Sequence, residues 1–155
     1  MKRKGNLIKE ISSFSNVKLA DNYARQNTKS KHEVYMHDSN QEEENIMLSE
    51  SLKNGTYKTS KYKTFSIFEP KERLIFKLPY YPDRIAHHSI MNVLKPIWIK
   101  TFIHQTYSSI EGRGIHMLKH ELCKVLKEHP KETTYCLKMD VHKFYPSLNH
   151  EILKT

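Results

Sequence analysis

Asp140 ends a run of alternating side chains and is a candidate for chemistry. Apolar and polar residues alternate along the segment 135–141, YCLKMDV. This alternation predicts a β-strand that packs one face on helices and presents Lys138 and Asp140 on the other. Carboxylate oxygens are ligands that suit Mg²⁺. Asp140 is therefore a candidate metal ligand, and the alternative is an Asp that caps a turn.

A second group of candidate residues lies on a predicted β-hairpin. Alternating runs on both sides of Glu69-Pro70-Lys71-Glu72 predict two antiparallel strands within residues 56–79. The period of two gives the hairpin a basic face with Arg73, Ile75 and Lys77, opposite Leu74, Phe76 and Leu78.

Lys71 and Arg73 also make the tip of this hairpin basic. An Arg side chain suits phosphate because its planar fork donates two hydrogen bonds at once. The alternative is a surface charge at a turn.

Helices are predicted on both sides of the hairpin. Residues 39–55 predict a helix with a capping box formed by Ser39 and Glu42 and a stop at Asn54-Gly55. An apolar stripe predicts another helix in residues 82–100, with Asp83 as its N-cap. Pro96 is expected to end or kink that helix.

Two more helices are predicted nearer Asp140. One follows Gly114 and is closed by His129-Pro130, after an irregular stretch at 101–113. The other covers 150–155 and is capped by Asn149 or Ser147. Because the chain stops in this helix, it is expected to be a fragment.

The composition favours an anionic partner. The 155 residues include 26 Lys and Arg against 17 Asp and Glu, a net charge of +9. Such a charge favours nucleic acid through phosphate contacts, and the alternative is a solvated basic surface. Two cysteines without a CxxC motif favour a reducing cytoplasm. No apolar run reaches the ~20 residues of a membrane span.

Residues 1–38 form a basic, mostly polar N-terminal segment. The stretch 24–40, ARQNTKSKHEVYMHDSN, predicts a short helix or loop. It is a candidate for an arm that becomes ordered on nucleic acid.

Three segments, in this order, resemble a bacterial reverse transcriptase of the group II intron and diversity-generating retroelement type. They are EPKERLIFKLPYYPDRIAHHSI, FIHQTYSSIEGRGIHMLKHEL and YCLKMDVHKFYPSLNHEIL. The resemblance covers about residues 64–153, and 40–63 fit more loosely. It implies an α+β fold: the fingers and partial palm of a right-hand polymerase, mostly helical, with a β-hairpin and the first palm strand. The implied divisions are 1–38, a fingers region at 39–134 and the start of the palm at 135–155.

The resemblance also implies roles for single residues. Asp140 resembles the first catalytic aspartate, which binds both Mg²⁺ (or Mn²⁺) ions, and the carbonyl of Val141 supports one of them. Tyr145 resembles the aromatic gate that favours deoxynucleotides, and the alternative is a core aromatic beside Phe144. Arg73, helped by Lys71, resembles the contact to the triphosphate.

Two further arginines fit the resemblance as nucleic-acid contacts, although both also fit purely structural roles. Arg84 follows Asp83 and would hold the junction of fingers and palm. Arg113 lies between two glycines, where the backbone can come close to a strand. The implied partners are an RNA template, a DNA or RNA primer and dNTPs, with an accessory protein left open and no membrane.

One departure from the family bears on activity. The second palm motif, an aromatic–x–Asp–Asp turn, does not occur, and no two aspartates are adjacent in the chain. Asp140 alone cannot assemble a two-metal site, so these 155 residues are expected to be inactive unless completed.

Alternative functions remain at this stage. The fold would also serve a basic RNA-binding module without catalysis, or a defence protein that synthesises DNA without a template. The spacing of His116, His120 and Cys123 puts them on roughly one helix face, which zinc could use, but no fourth ligand is evident.

Overall fold

The computed structural model describes residues 4–26 and 32–154. It divides into two compact units, an N-terminal unit of Met1–Phe102 and a C-terminal unit of Ile103–Thr155. The architecture is mixed, with helices and one two-stranded sheet in the described residues. The prediction of an α+β fold is confirmed at this level.

Helices form most of the N-terminal unit. The first four are α1 (Ile8–Ile11), α2 (Phe14–Ala24), α3 (His32–Asp38) and α4 (Gln41–Lys53). The hairpin follows, with β1 (Lys63–Phe68) and β2 (Glu72–Lys77). The turn Tyr80–Arg84, called here the YYPDR turn, then leads into α5 (Ile85–Ile99). The prediction of a short helix or loop at 24–40 corresponds to α3, while residues 27–31 of that stretch lie outside the described residues.

The core of the N-terminal unit lies where α2 packs against α4 and α5. The basic segment 1–38 contributes several of its side chains, because α2 and α3 turn small and β-branched residues inward. The buried apolar side chains are Val17, Ala20, Ala24, Val34, Leu48, Leu52, Tyr80, Ile85 and Ala86. The hairpin strands contribute no buried side chain to this core.

The ends of α4 differ in how well the sequence predicts them. Three glutamates occupy its first turn, where the helix dipole favours negative charge. Gly55, at φ +67°, follows the C-cap Asn54 and stops the helix as predicted. The predicted capping box is wrong: Asn40 is the N-cap residue, and no side chain caps the helix start.

One prediction about α5 is wrong, and one of the two effects predicted for Pro96 is excluded. Asp83 is not its N-cap, since Arg84 occupies that position and Asp83 bonds to residues before the hairpin. Pro96 lies inside α5 and does not end it, because the helix runs on to Ile99.

The C-terminal unit contains α6 (Ile115–Glu128), α7 (Phe144–Ser147) and α8 (His150–Lys154). The predicted helix after Gly114 is confirmed, as is the irregular stretch before it. Asn149 caps α8, because its Oδ1 accepts from the backbone N–H of Glu151 at 2.9 Å. The predicted last residue of α8, Thr155, lies outside the described residues.

The predicted strand at 135–141 is wrong. The segment forms no strand, and its apolar side chains do not pack on helices: Tyr135 is 94% exposed and Leu137 and Met139 are each 80% exposed. A strand exists only where a neighbour accepts and donates its ladder hydrogen bonds. In residues 4–26 and 32–154 the one sheet is β1–β2, so this segment has no strand beside it.

Candidate functional site

The hairpin presents its basic tip as predicted. Phe68 pairs with Glu72, so Glu69, Pro70 and Lys71 form the turn between the strands. Lys71 and Arg73 are both exposed, with Arg73 one residue into β2. Both cations therefore face solvent, where they can meet an anion.

The register of the hairpin assigns its side chains to two faces. Arg73 is opposite Ile67 and Lys77 is opposite Lys63, so these cations share a face with half-buried Ile67 and Ile75. The predicted basic face is confirmed.

The other face of the hairpin is apolar and open. It carries Phe68, Leu74 and Phe76, and the two phenylalanines are 74% and 60% exposed. Tyr62 meets the ring of Phe76 edge-on, with their centroids 5.8 Å apart. Six Lys and Arg residues against two Glu residues occupy positions 58–77, and three of these cations, Lys63, Arg73 and Lys77, lie on the opposite face of the hairpin.

Asp140 lies in an exposed segment of the C-terminal unit that has no regular secondary structure. Its Oδ1 accepts a hydrogen bond from the backbone N–H of Val141 at 3.0 Å. This bond orients the carboxylate toward the backbone N–H of Val141. An exposed carboxylate offers oxygen ligands of the kind that Mg²⁺ prefers.

Tyr145 follows in α7, a single helical turn. Lys143 precedes it with φ +47°, and Ser147 Oγ donates to the Lys143 carbonyl at 2.8 Å. The ring of Tyr145 is 80% exposed and meets Phe144 edge-on. Within these residues Tyr145 is not a core aromatic, so the alternative offered by the sequence finds no support here.

The two candidate arginines differ in their contacts. Arg84 is exposed at the start of α5. Burial lowers the pKa of nearby His88, and the charges of Arg84 and His87 lower it further. Arg113 is half-buried and donates from Nη1 to the carbonyl of His104 at 3.2 Å, so part of its guanidinium holds its own loop.

Metal-binding side chains are not grouped in the described part of the chain. Among residues 4–26 and 32–154, no three His, Cys, Asp or Glu side chains are placed to hold one ion. This includes His116, His120 and Cys123 on α6.

The most developed polar cluster was not predicted from the sequence. Asp21 is fully buried and accepts hydrogen bonds from Arg25, Gln41 and Tyr80. His37, also buried, contacts Glu44 through Nδ1, and its Nε2 lies 3.4 Å from Oδ2 of Asp21. The spacing of Asp21 and Arg25 by four residues on one helix was the sequence signal for part of it.

The charges in this cluster stabilise one another. Burial raises the pKa of Asp21, but His37, Tyr80, Gln41 and Arg25 outweigh it and lower that pKa well below its usual range. Burial lowers the pKa of His37, and its two carboxylate neighbours more than reverse this. The cluster is closed to solvent around His37 and joins α2, α3, α4 and the YYPDR turn, so its role is structural.

A cleft of about 520 Å³ opens in the N-terminal unit beside α1, α2 and α5. Its lining includes Lys4, Asn16 and Asn92. None of the sequence-predicted site residues lines it.

None of the helices in the described part of the chain has the length and apolar character needed to cross a bilayer. The chain matches no protein-family model and no curated protein.

Proposed function

We propose that the chain is the fingers and first part of the palm of a reverse transcriptase, an RNA-directed DNA polymerase. The observation that carries the proposal is the hairpin, whose basic tip is free while the segment before it is hydrogen-bonded to buried Asp83. A phosphate-binding finger needs this arrangement, because the charges must meet the ligand and the base must fix their position. Arg73 and Lys71 would contact the triphosphate of an incoming dNTP.

Asp140, Val141 and Tyr145 would supply the first part of the catalytic site. The exposed carboxylate and the Val141 carbonyl would bind Mg²⁺ or Mn²⁺, which lowers the barrier to attack by the primer 3′-hydroxyl. Tyr145, five residues after Asp140, would contact the sugar of the incoming nucleotide and favour deoxynucleotides. Because no two aspartates are adjacent in these 155 residues, the remaining carboxylates would come from further polypeptide or a partner.

RNA and primer would bind along basic surface. The net charge of +9 and the exposed rings of Phe68 and Phe76, on the hairpin face opposite Lys63, Arg73 and Lys77, support this, since bases stack on aromatic rings while cations neutralise phosphates. Arg84, and the part of the Arg113 guanidinium that does not hold its own loop, would add contacts to nucleic acid. The two free, exposed cysteines fit a reducing compartment, so we propose a cytoplasmic protein.

A basic RNA-binding module without catalysis is the second candidate, favoured by the same aromatic face. RNA-templated primer extension by the protein purified in its natural full length separates the two. We expect Mg²⁺-dependent DNA synthesis that follows the template sequence and stops with EDTA. Synthesis that ignores the template would indicate the defence-type alternative. Salt-sensitive RNA binding without synthesis would leave the binding module.

A further inference from the structure

The segment that leads into the hairpin is held by one buried carboxylate. Asp83, in the YYPDR turn, is fully buried. Its Oδ1 accepts from the hydroxyl of Tyr57 at 2.7 Å and from the backbone N–H of Ser60 at 3.0 Å. Both donors precede β1, so one oxygen atom ties the start of the hairpin to the start of α5.

The protonation states suit this contact. Burial raises the pKa of Asp83, but the bonds from Ser60 and Tyr57 outweigh it and lower that pKa. Burial and the neighbouring Asp83 carboxylate raise the pKa of Tyr57 to about 12. At neutral pH an ionised acceptor therefore faces a protonated donor, and charge-assisted bonds of this type are the stronger ones.

The YYPDR turn is itself fixed to the helical core. Tyr80 is buried and donates its hydroxyl proton to Asp21. The ring of Tyr81 stacks on buried His37, with centroids 5.4 Å apart and planes 18° from parallel. Asp83 therefore extends from a frame that the buried charge cluster holds in place.

The exit side of the hairpin has a weaker attachment. Lys77 Nζ lies 2.6 Å from Oε1 of Glu33, but both side chains are well exposed. Exposed ion pairs contribute little because water and salt screen them. Asp83 is thus the principal polar attachment at the base of the hairpin in the described residues.

We propose that Asp83 is a positioning residue, whose buried carboxylate fixes Tyr57 and Ser60 and so sets where the hairpin and its basic tip lie on the N-terminal unit. The consequence for nucleotide binding rests on the function proposed above. Asp83 therefore holds the segment before the hairpin. It does not cap α5, which is the role that its position before that helix predicted.

The placement of the tip is measured by the distance between spin labels on Glu69→Cys, in the hairpin turn, and Glu50→Cys, on α4. Both positions are exposed, and Cys123 and Cys136 are replaced by Ser so that only these two sites are labelled. We expect a narrow distance distribution in this background and a wider one after Tyr57→Phe, which removes one bond.

Asp83→Ala, which removes both bonds, is expected to give the widest distribution. Tyr62→Phe is the matched control, because it removes a hydroxyl from the same segment without touching Asp83. Asp83→Asn should restore the narrow distribution, since its amide oxygen can still accept both bonds. An unchanged width in Tyr57→Phe and Asp83→Ala would overturn the proposal, and Tyr57→Phe alone decides if the alanine variant does not fold.

A kinetic measurement connects the placement to nucleotide binding. In primer extension, Tyr57→Phe should raise the KM for dNTP by about threefold to tenfold, in line with the loss of one hydrogen bond, while kcat stays near the parent value. Because the spin-label distances are measured without nucleic acid, the two claims fail separately. A wider distribution with unchanged KM would support the positioning role and contradict the triphosphate contact.

Discussion

The N-terminal and C-terminal units use similar sequence patterns with different results. In the N-terminal unit, α2, α4 and α5 turn apolar side chains toward one another and bury them. In the C-terminal unit, Ile110 is the one apolar side chain that is buried within residues 103–153. The stripe of α6 and the alternating residues of 135–141 are both exposed. A pattern therefore predicts which face can be buried, but burial itself requires a second surface.

The C-terminal unit therefore exposes apolar side chains that a second surface would bury. Leu118, Leu122 and Val125 of α6 are each more than 40% exposed, and so are the apolar residues of 135–141. Burying apolar surface is favourable by about 25 cal/mol per Å². If the segment carrying Asp140 gained a neighbouring strand, the site proposed for it would become more rigid.

Removing the buried charge of Asp21 should have the largest effect on stability. Asp21→Ala leaves Arg25 and His37 without their buried partner, which costs about 3–5 kcal/mol of unfolding free energy. Asp38→Ala is the control, since Asp38 also binds Arg25, at 2.7 Å, but its side chain is 44% exposed. Its loss should cost less than about 1 kcal/mol. Urea unfolding followed by Trp98 fluorescence measures the free energy of unfolding of both variants. Equal losses of this free energy would contradict the claim that burial makes the cluster stabilising.

Two leucines test the difference between the units. Leu48→Ala should lower the unfolding free energy by about 2–4 kcal/mol, because Leu48 is 1% exposed in the core. Leu137→Ala should change it by less than about 0.5 kcal/mol, since that side chain already faces solvent. Calorimetry of both variants checks this, and a large loss in Leu137→Ala would mean that the C-terminal unit has a core after all.

The pH dependence should be the smaller effect and should arise in the N-terminal unit. His37 faces Asp21 and Glu44, with Tyr80 and Tyr81 against its ring, and its folded pKa is raised. A raised pKa means that His37 stabilises the fold below its unfolded pKa, near 6.5, and that this is lost as pH rises through the folded pKa. Asp21 has the opposite sign and loses its contribution as pH falls below about 3.8.

Stability should therefore be highest in mildly acidic solution and fall toward alkaline pH. Urea midpoints measured across pH 5–9 test this, with His37→Gln as the comparison. The urea midpoint of His37→Gln should not decline toward alkaline pH, whatever the absolute stability of the variant. A decline of the same slope in both proteins would assign it to other groups.

Elements that depend on residues near one another in the sequence were predicted well. The hairpin, α4 and α6 follow from alternation, the 3.6-residue period and Gly or Pro at their ends. The strand at 135–141 failed because its hydrogen bonds depend on a neighbour that local pattern cannot supply. Asp83 was assigned to the nearest helix, whereas its partners Tyr57 and Ser60 lie more than twenty residues away.

In the candidate site, too, local pattern predicted some features and missed others. Alternation marked Arg73 as exposed on a basic face, which the register confirms. The roles of Asp140 and Tyr145 come from family resemblance and remain predictions. The cluster around Asp21 was missed because its members come from three helices and a turn, and the four-residue spacing of Asp21 and Arg25 connects only two of them.

The central claim is that Asp140 binds the catalytic metal of an RNA-directed DNA polymerase. The most direct measurement is RNA-templated primer extension in Mg²⁺ by the natural full-length protein carrying Asp140→Asn. This variant removes the charge but keeps an oxygen for the Val141 N–H. Glu132→Gln is the matched control, an exposed carboxylate of the same unit. We predict a loss of about a thousandfold or more for Asp140→Asn and none for Glu132→Gln. Undiminished extension by Asp140→Asn would contradict the account.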